Sequence, residues 1–72
     1  MQRFDAKALY EELDARRTSQ GLTWQELSRL VGVSASTMQR LSQGGRLEVD
    51  GMLAMVKWLG RTVEDFVRET KT

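Results

Sequence analysis

The chain has 72 residues, 11 of them Lys or Arg and 10 Asp or Glu, for a net charge of +1, and it lacks both cysteine and histidine. Disulfides and the usual zinc constellations are thereby excluded, and the chain is expected to use no metal and no other cofactor. No apolar run approaches the roughly 18 residues of a membrane span and the N-terminus has no signal-like apolar core, so a cytoplasmic protein without a membrane partner is expected.

A chain of this length is expected to hold one domain, residues 1–72. It buries little more than about 60% of its unfolded surface, and compact helical packing is one of the few ways to fold without staples. Asp5 is placed to cap a first helix whose buried stripe is Ala6, Leu9 and Leu13. That helix should end near Arg17 to Ser19, with Gly21 in the following turn and Phe4 and Tyr10 as flanking contacts. Thr23 and Glu26 form a capping box that starts a second helix burying Leu27, Leu30 and Val31. Gly32 stops it, because a helix end commonly needs a positive φ that glycine adopts cheaply.

Val33 then returns to the core and Ser34 caps a third helix. Met38 and Leu41 share one face of that helix, while Ser36, Gln39 and Arg40 point the other way at about 100° per residue. Gln43, Gly44 and Gly45 form a flexible break. Asp50 is expected to cap a fourth helix ending at Gly60 and rich in Met52, Leu53, Met55, Val56, Trp58 and Leu59. Thr62, with Asp65 after it, opens a fifth helix burying Val63, Phe66 and Val67. With no strand pattern, the expected fold is all-α, a compact five-helix bundle.

Leu22 to Leu41 is the most informative stretch. The second and third helices meet at a tight turn, Ser28 is small where they cross, and the third helix keeps a polar outer face. Between Thr23 and Leu47 the only acid is Glu26, against Arg29, Arg40 and Arg46. Acids gather elsewhere, at Glu11, Glu12 and Asp14 and at Glu48, Asp50, Glu64, Asp65 and Glu69. One face suited to phosphates accounts for this asymmetry, as does chance placement on the surface.

The residues Gly21-Leu22-Thr23, Glu26-Leu27-Ser28, Gly32-Val33-Ser34, Thr37-Met38 and Arg40-Leu41 resemble the central motif of the lambda-repressor-like, Cro-type (XRE) DNA-binding domains. Gly44-Gly45-Arg46, Leu53 to Gly60 and Thr62 to Val67 are similar to that family's fourth and fifth helices. The resemblance implies a helix-turn-helix at about 23–42 and binding to double-stranded DNA, commonly as a homodimer on a palindromic operator. Ala35, Ser36, Gln39 and Arg40 would then touch base edges, the alternative being a solvated helix face. Thr23, Ser34, Thr37 and Arg46 are candidates for backbone phosphates, with simple capping the competing role for Thr23 and Ser34.

Three positions depart from the family pattern. Trp24 stands where the family usually has a phosphate-anchoring Gln; its indole can donate to phosphate or pack against a neighbouring helix. Ser42 replaces an acid that commonly pairs with an arginine at the end of helix one, which leaves Arg17 free to face phosphate. Arg61 replaces an apolar residue. Leu53 and Trp58 fall off the buried stripe of the fourth helix, and are either covered by the fifth or form a dimer interface with Phe66 or Val67.

The leading expectation is a sequence-specific transcriptional regulator, a repressor that blocks its operator. Antitoxins and phage regulators share the DNA mechanism and add a toxin or other protein partner. An interaction module of the same fold without DNA binding is a separate class. An enzyme is not expected, because Ser and Thr hydroxyls here lack an evident activating base.

Overall fold

The computed structural model describes residues 1–44 and 46–69; Gly45, part of the expected flexible break, lies outside the described residues. Local capping sets most element boundaries. The Asp5 carboxylate accepts from the Ala8 N–H at 3.0 Å and starts α1 (Ala6–Ser19). Ala6, Leu9 and Leu13 form its buried stripe. Past the end of α1, Gly21 N–H donates to the Thr18 carbonyl at 3.1 Å and Leu22 N–H to the Arg17 carbonyl at 2.9 Å. This double closure needs a left-handed residue, and Gly21 supplies it at φ 67°.

The capping box forms at the start of α2 (Trp24–Val31). Glu26 N–H donates to Thr23 Oγ1 at 3.1 Å, and Thr23 N–H donates to Glu26 Oε1 at 2.9 Å. Gly32, at φ 83°, ends α2 with its N–H on the Ser28 carbonyl at 2.8 Å. A side chain at that φ would be strained, so the turn depends on glycine. After the turn Ser34 Oγ accepts from Thr37 N–H at 3.2 Å and begins α3 (Ala35–Arg40), which tightens into a 3₁₀ turn at Leu41–Gln43.

Leu30, expected in the core, is 59% exposed. Trp24, Leu27 and Val31 define the inward stripe of α2, and at about 100° per residue Leu30 falls well to one side of it. Only Leu27 on this helix is buried.

The C-terminal third departs most from expectation. The fourth helix, α4 (Val49–Trp58), starts before Asp50 and stops short of Gly60. Glu48 occupies its cap position without a side-chain hydrogen bond, and Asp50 lies in the first turn, where its charge favours the positive helix end. The expected fifth helix is instead one 3₁₀ turn, Val63–Phe66, followed by a strand, β2 (Val67–Glu69). β2 pairs antiparallel with β1 (Gln2–Phe4) in the register Gln2–Glu69, Arg3–Arg68 and Phe4–Val67.

The all-α expectation is therefore corrected: among the described residues there are four α-helices and a two-stranded ribbon. The cause is tertiary. Phe66 is buried and meets the Phe4 ring at 5.7 Å, and the Asp5 N–H donates to the Phe66 carbonyl at 2.7 Å. These contacts hold the chain extended where β-branched Val67 follows, a residue type that loses side-chain freedom in a helix.

Ala6, Leu9, Leu13, Leu27, Val33, Met38, Leu41, Met55, Val56, Leu59 and Phe66 form one contiguous core. No polar or charged residue is buried among the described residues. No helix among them is long and apolar enough to cross a membrane.

Candidate functional site

Helix α3 is held by its apolar side. Met38 is fully buried and Leu41 nearly so, both within the contiguous core, with the 3₁₀ turn at Leu41 packed on α1. Residues at i, i+3 and i+4 share a helix face, so Ser36, Gln39 and Arg40 stand together on the outside, all exposed, with half-buried Ala35 beside them. The side chains of Gln39 and Arg40 have no hydrogen-bond or ion-pair partner among the described residues. Of the four expected base-reading residues, three are exposed and one is half-buried, and all lie on this helix.

The surroundings of α3 are electrostatically uneven. On one side Thr37, Arg40, Leu41, Gln43 and Arg46 line a shallow depression containing two guanidinium groups. On the other, Ser34 and Thr37 line a depression with Glu48 and Asp50. The hydroxyls there are also engaged: Ser34 Oγ donates to Thr37 Oγ1 at 2.6 Å while accepting from the Thr37 N–H. Capping is what Ser34 does in this structure, and two carboxylates stand where an anion would approach it.

Arg17 is not free to face a phosphate. Its Nη2 donates to Asp14 Oδ1 at 2.6 Å and its Nη1 to the Leu22 carbonyl at 2.8 Å. Its guanidinium carbon lies 4.7 Å from the centre of the Trp24 ring, and the side chain is only 22% exposed. Ser42 offers no acid, as expected, but Arg17 is paired all the same, with Asp14 one helical turn before it, and Ser42 Oγ donates to the Gln39 carbonyl. Trp24 stacks on Tyr10 at 5.5 Å with the rings 16° from parallel and is half-buried. Both residues belong to a clamp that joins the end of α1 to the start of α2.

Thr23 is exposed, but its hydroxyl and N–H complete the capping box. The N–H donated by Thr23 holds the Glu26 carboxyl below its ordinary value of 4.5, and the Thr62 N–H does the same for Asp65 against 3.8. Arg61, the other departure from the family pattern, pairs with Glu12 and Asp65, each at 3.3 Å.

The expected dimer interface does not assemble as one patch. Phe66 is 1% exposed and belongs to the core, Trp58 packs half-buried against it, and Val67 is half-buried in the ribbon. Leu53 alone of the four is open, at 48% exposure. Val49, one turn before it on α4, is also exposed and was not anticipated.

Two basic residues absent from the expected site lie near it. Lys7, in the first turn of α1, lies beside Gly44: a Cβ on that glycine would be 3.8 Å from Lys7 Cε. Arg3, on β1, shares a depression with Arg46, Gly44 and Met52. Their positive charge was visible in the sequence, but their neighbours were not. Comparison with family models, curated proteins and solved structures gives no significant match to this chain.

Proposed function

We propose that the chain is a sequence-specific reader of duplex DNA, acting as a transcriptional regulator that occupies an operator. On this reading α2 and α3, turned about Gly32, form a helix-turn-helix with α3 in the major groove. The observation that carries it is the pair Gln39 and Arg40, exposed and without partners among the described residues, on a short helix pinned by Met38. Arg40 can donate two parallel hydrogen bonds to guanine O6 and N7, and Gln39 can pair with adenine N6 and N7. Each such contact discriminates between bases by about 1–3 kcal/mol.

Ala35 offers a methyl group to a thymine methyl, and Ser36 a hydroxyl to a base or phosphate. Arg46 takes a backbone phosphate next to Arg40, while Glu48 and Asp50 repel one from the Ser34 side. A palindromic operator calls for a homodimer, for which Val49 and Leu53 provide exposed apolar contacts on α4. Such a protein adds no chemistry, and its affinity comes from phosphate neutralisation.

A second reading, an interaction module of the same fold, draws support from those apolar residues and from the nearby carboxylates. A toxin or other protein would then be the partner. Titration of labelled random duplex at two salt concentrations separates the readings. A DNA reader binds and weakens steeply as salt rises, and selection from a random library then returns a defined motif. Absence of binding to any duplex at low salt overturns the proposal.

A further inference from the structure

We propose that Arg3 and Lys7 bind backbone phosphates of the same duplex, so that the DNA-contacting surface runs from α3 across the Gly44 turn onto the β1–α1 junction. The inference rests on the DNA reading above and adds residues from a separate part of the chain. Three adjoining depressions define the strip. The first holds Arg40 and Arg46, the second Arg46, Arg3 and Gly44, and the third Arg3, Lys7, Gly44 and Arg68 together with one acid, Asp5. Arg46 links the first to the second, and Arg3 with Gly44 links the second to the third.

The charges along this strip are unequally compensated. Arg68 pairs with Asp5 at 3.4 Å, and Asp5 also caps α1. Arg3, Lys7, Arg40 and Arg46 are all exposed, and none has a carboxylate within 4.0 Å among the described residues. Arg3 and Arg68 are moreover directly opposite in the ribbon, an arrangement of like charges that destabilises strand pairing. Asp5 relieves only one of the two. A phosphate seated between Arg3 and Lys7 supplies the missing counter-charge. A duplex backbone supplies such groups in series, as a strip rather than a pocket requires.

The test is the salt dependence of duplex binding. Removing two phosphate contacts lowers the slope of log K against log salt by about 1.8 in magnitude, at about 0.9 for each contact. The double variant Arg3→Gln, Lys7→Gln should show that drop while selecting the same DNA motif. The control Arg16→Gln, Lys57→Gln removes equal charge from outside the strip and should leave the slope unchanged. The swap Arg3→Lys, Lys7→Arg keeps both charges and should keep the slope, which separates charge from packing; circular dichroism checks that each variant folds. An unchanged slope in the Gln variant, or an equal drop in the control, overturns the inference and leaves the DNA reading intact. If the unaltered protein binds no duplex, both fall together.

Discussion

The two ends of the α2–α3 unit handle positive charge in opposite ways. At the α1–α2 junction Arg17 is used up internally, bonded to Asp14 and the Leu22 carbonyl and lying against Trp24. At the far end Arg40 and Arg46 share an open depression with no carboxylate partner among the described residues. Both ends are basic in the sequence, yet one fastens two helices and the other stands exposed to solvent. A cation's role is set by whether a carboxylate or carbonyl lies within its reach, and for Arg17 that partner is one helical turn away.

The contrast can be broken most severely through its common support. Met38 is fully buried beneath α3, and Met38→Ala should cost about 2–5 kcal/mol, measured by urea denaturation. A loss well under that range would mean α3 is not anchored as described. The contrast itself is sharpened by a pair of variants. Arg17→Ala should destabilise the fold by about 1–3 kcal/mol, since it removes charged hydrogen bonds, and should leave the salt slope of DNA binding alone. Arg40→Ala should change stability by no more than about 0.5 kcal/mol and reduce discrimination at one base position by about 1–3 kcal/mol. Exchange of those two outcomes would invert the assignment.

The smallest effect is the acid response of the caps. Glu26 and Asp65 have carboxyls held below their ordinary values by the N–H groups of Thr23 and Thr62. Their stabilisation is complete above the unfolded-state values of 4.5 and 3.8 and is lost as pH falls through the lower folded-state values. Glu26→Gln should therefore flatten the fall in Tm on acidification. An unchanged acid profile would remove the Thr23–Glu26 box from the account.

What could be read in advance was local. Asp5, the Thr23–Glu26 box, Ser34 and Gly32 act over three or four residues, and each does what its spacing implied. The inward and outward faces of α3 were legible for the same reason. The Thr62–Asp65 pair forms its capping box but not the expected fifth helix: a start signal carries no length, and the strand that follows the single 3₁₀ turn depends on a partner far away in the sequence. The exposure of Leu30 is not legible in the sequence because α2 spans only 8 residues, too few for periodicity to fix which side faces inward. Arg17 was a different case. Its partner Asp14 lies one helical turn away, and the absence of an acid at position 42 carries no information about that nearer carboxylate. Arg3 and Lys7 carry no local signal: Lys7 nears Gly44 because α1 packs on the 3₁₀ turn Leu41–Gln43, and Arg3 reaches the same glycine from the ribbon, in a shared depression.

The ribbon joining Gln2–Phe4 to Val67–Glu69 has a consequence for how the molecule opens. It spans nearly the whole sequence with three residue pairs, so unzipping it exposes little apolar surface beyond Phe4 and Phe66 and should precede global unfolding. Arg3 sits at its middle pair. A phosphate held there would act as a clasp, slowing amide exchange in both strands whenever the polyanion is bound.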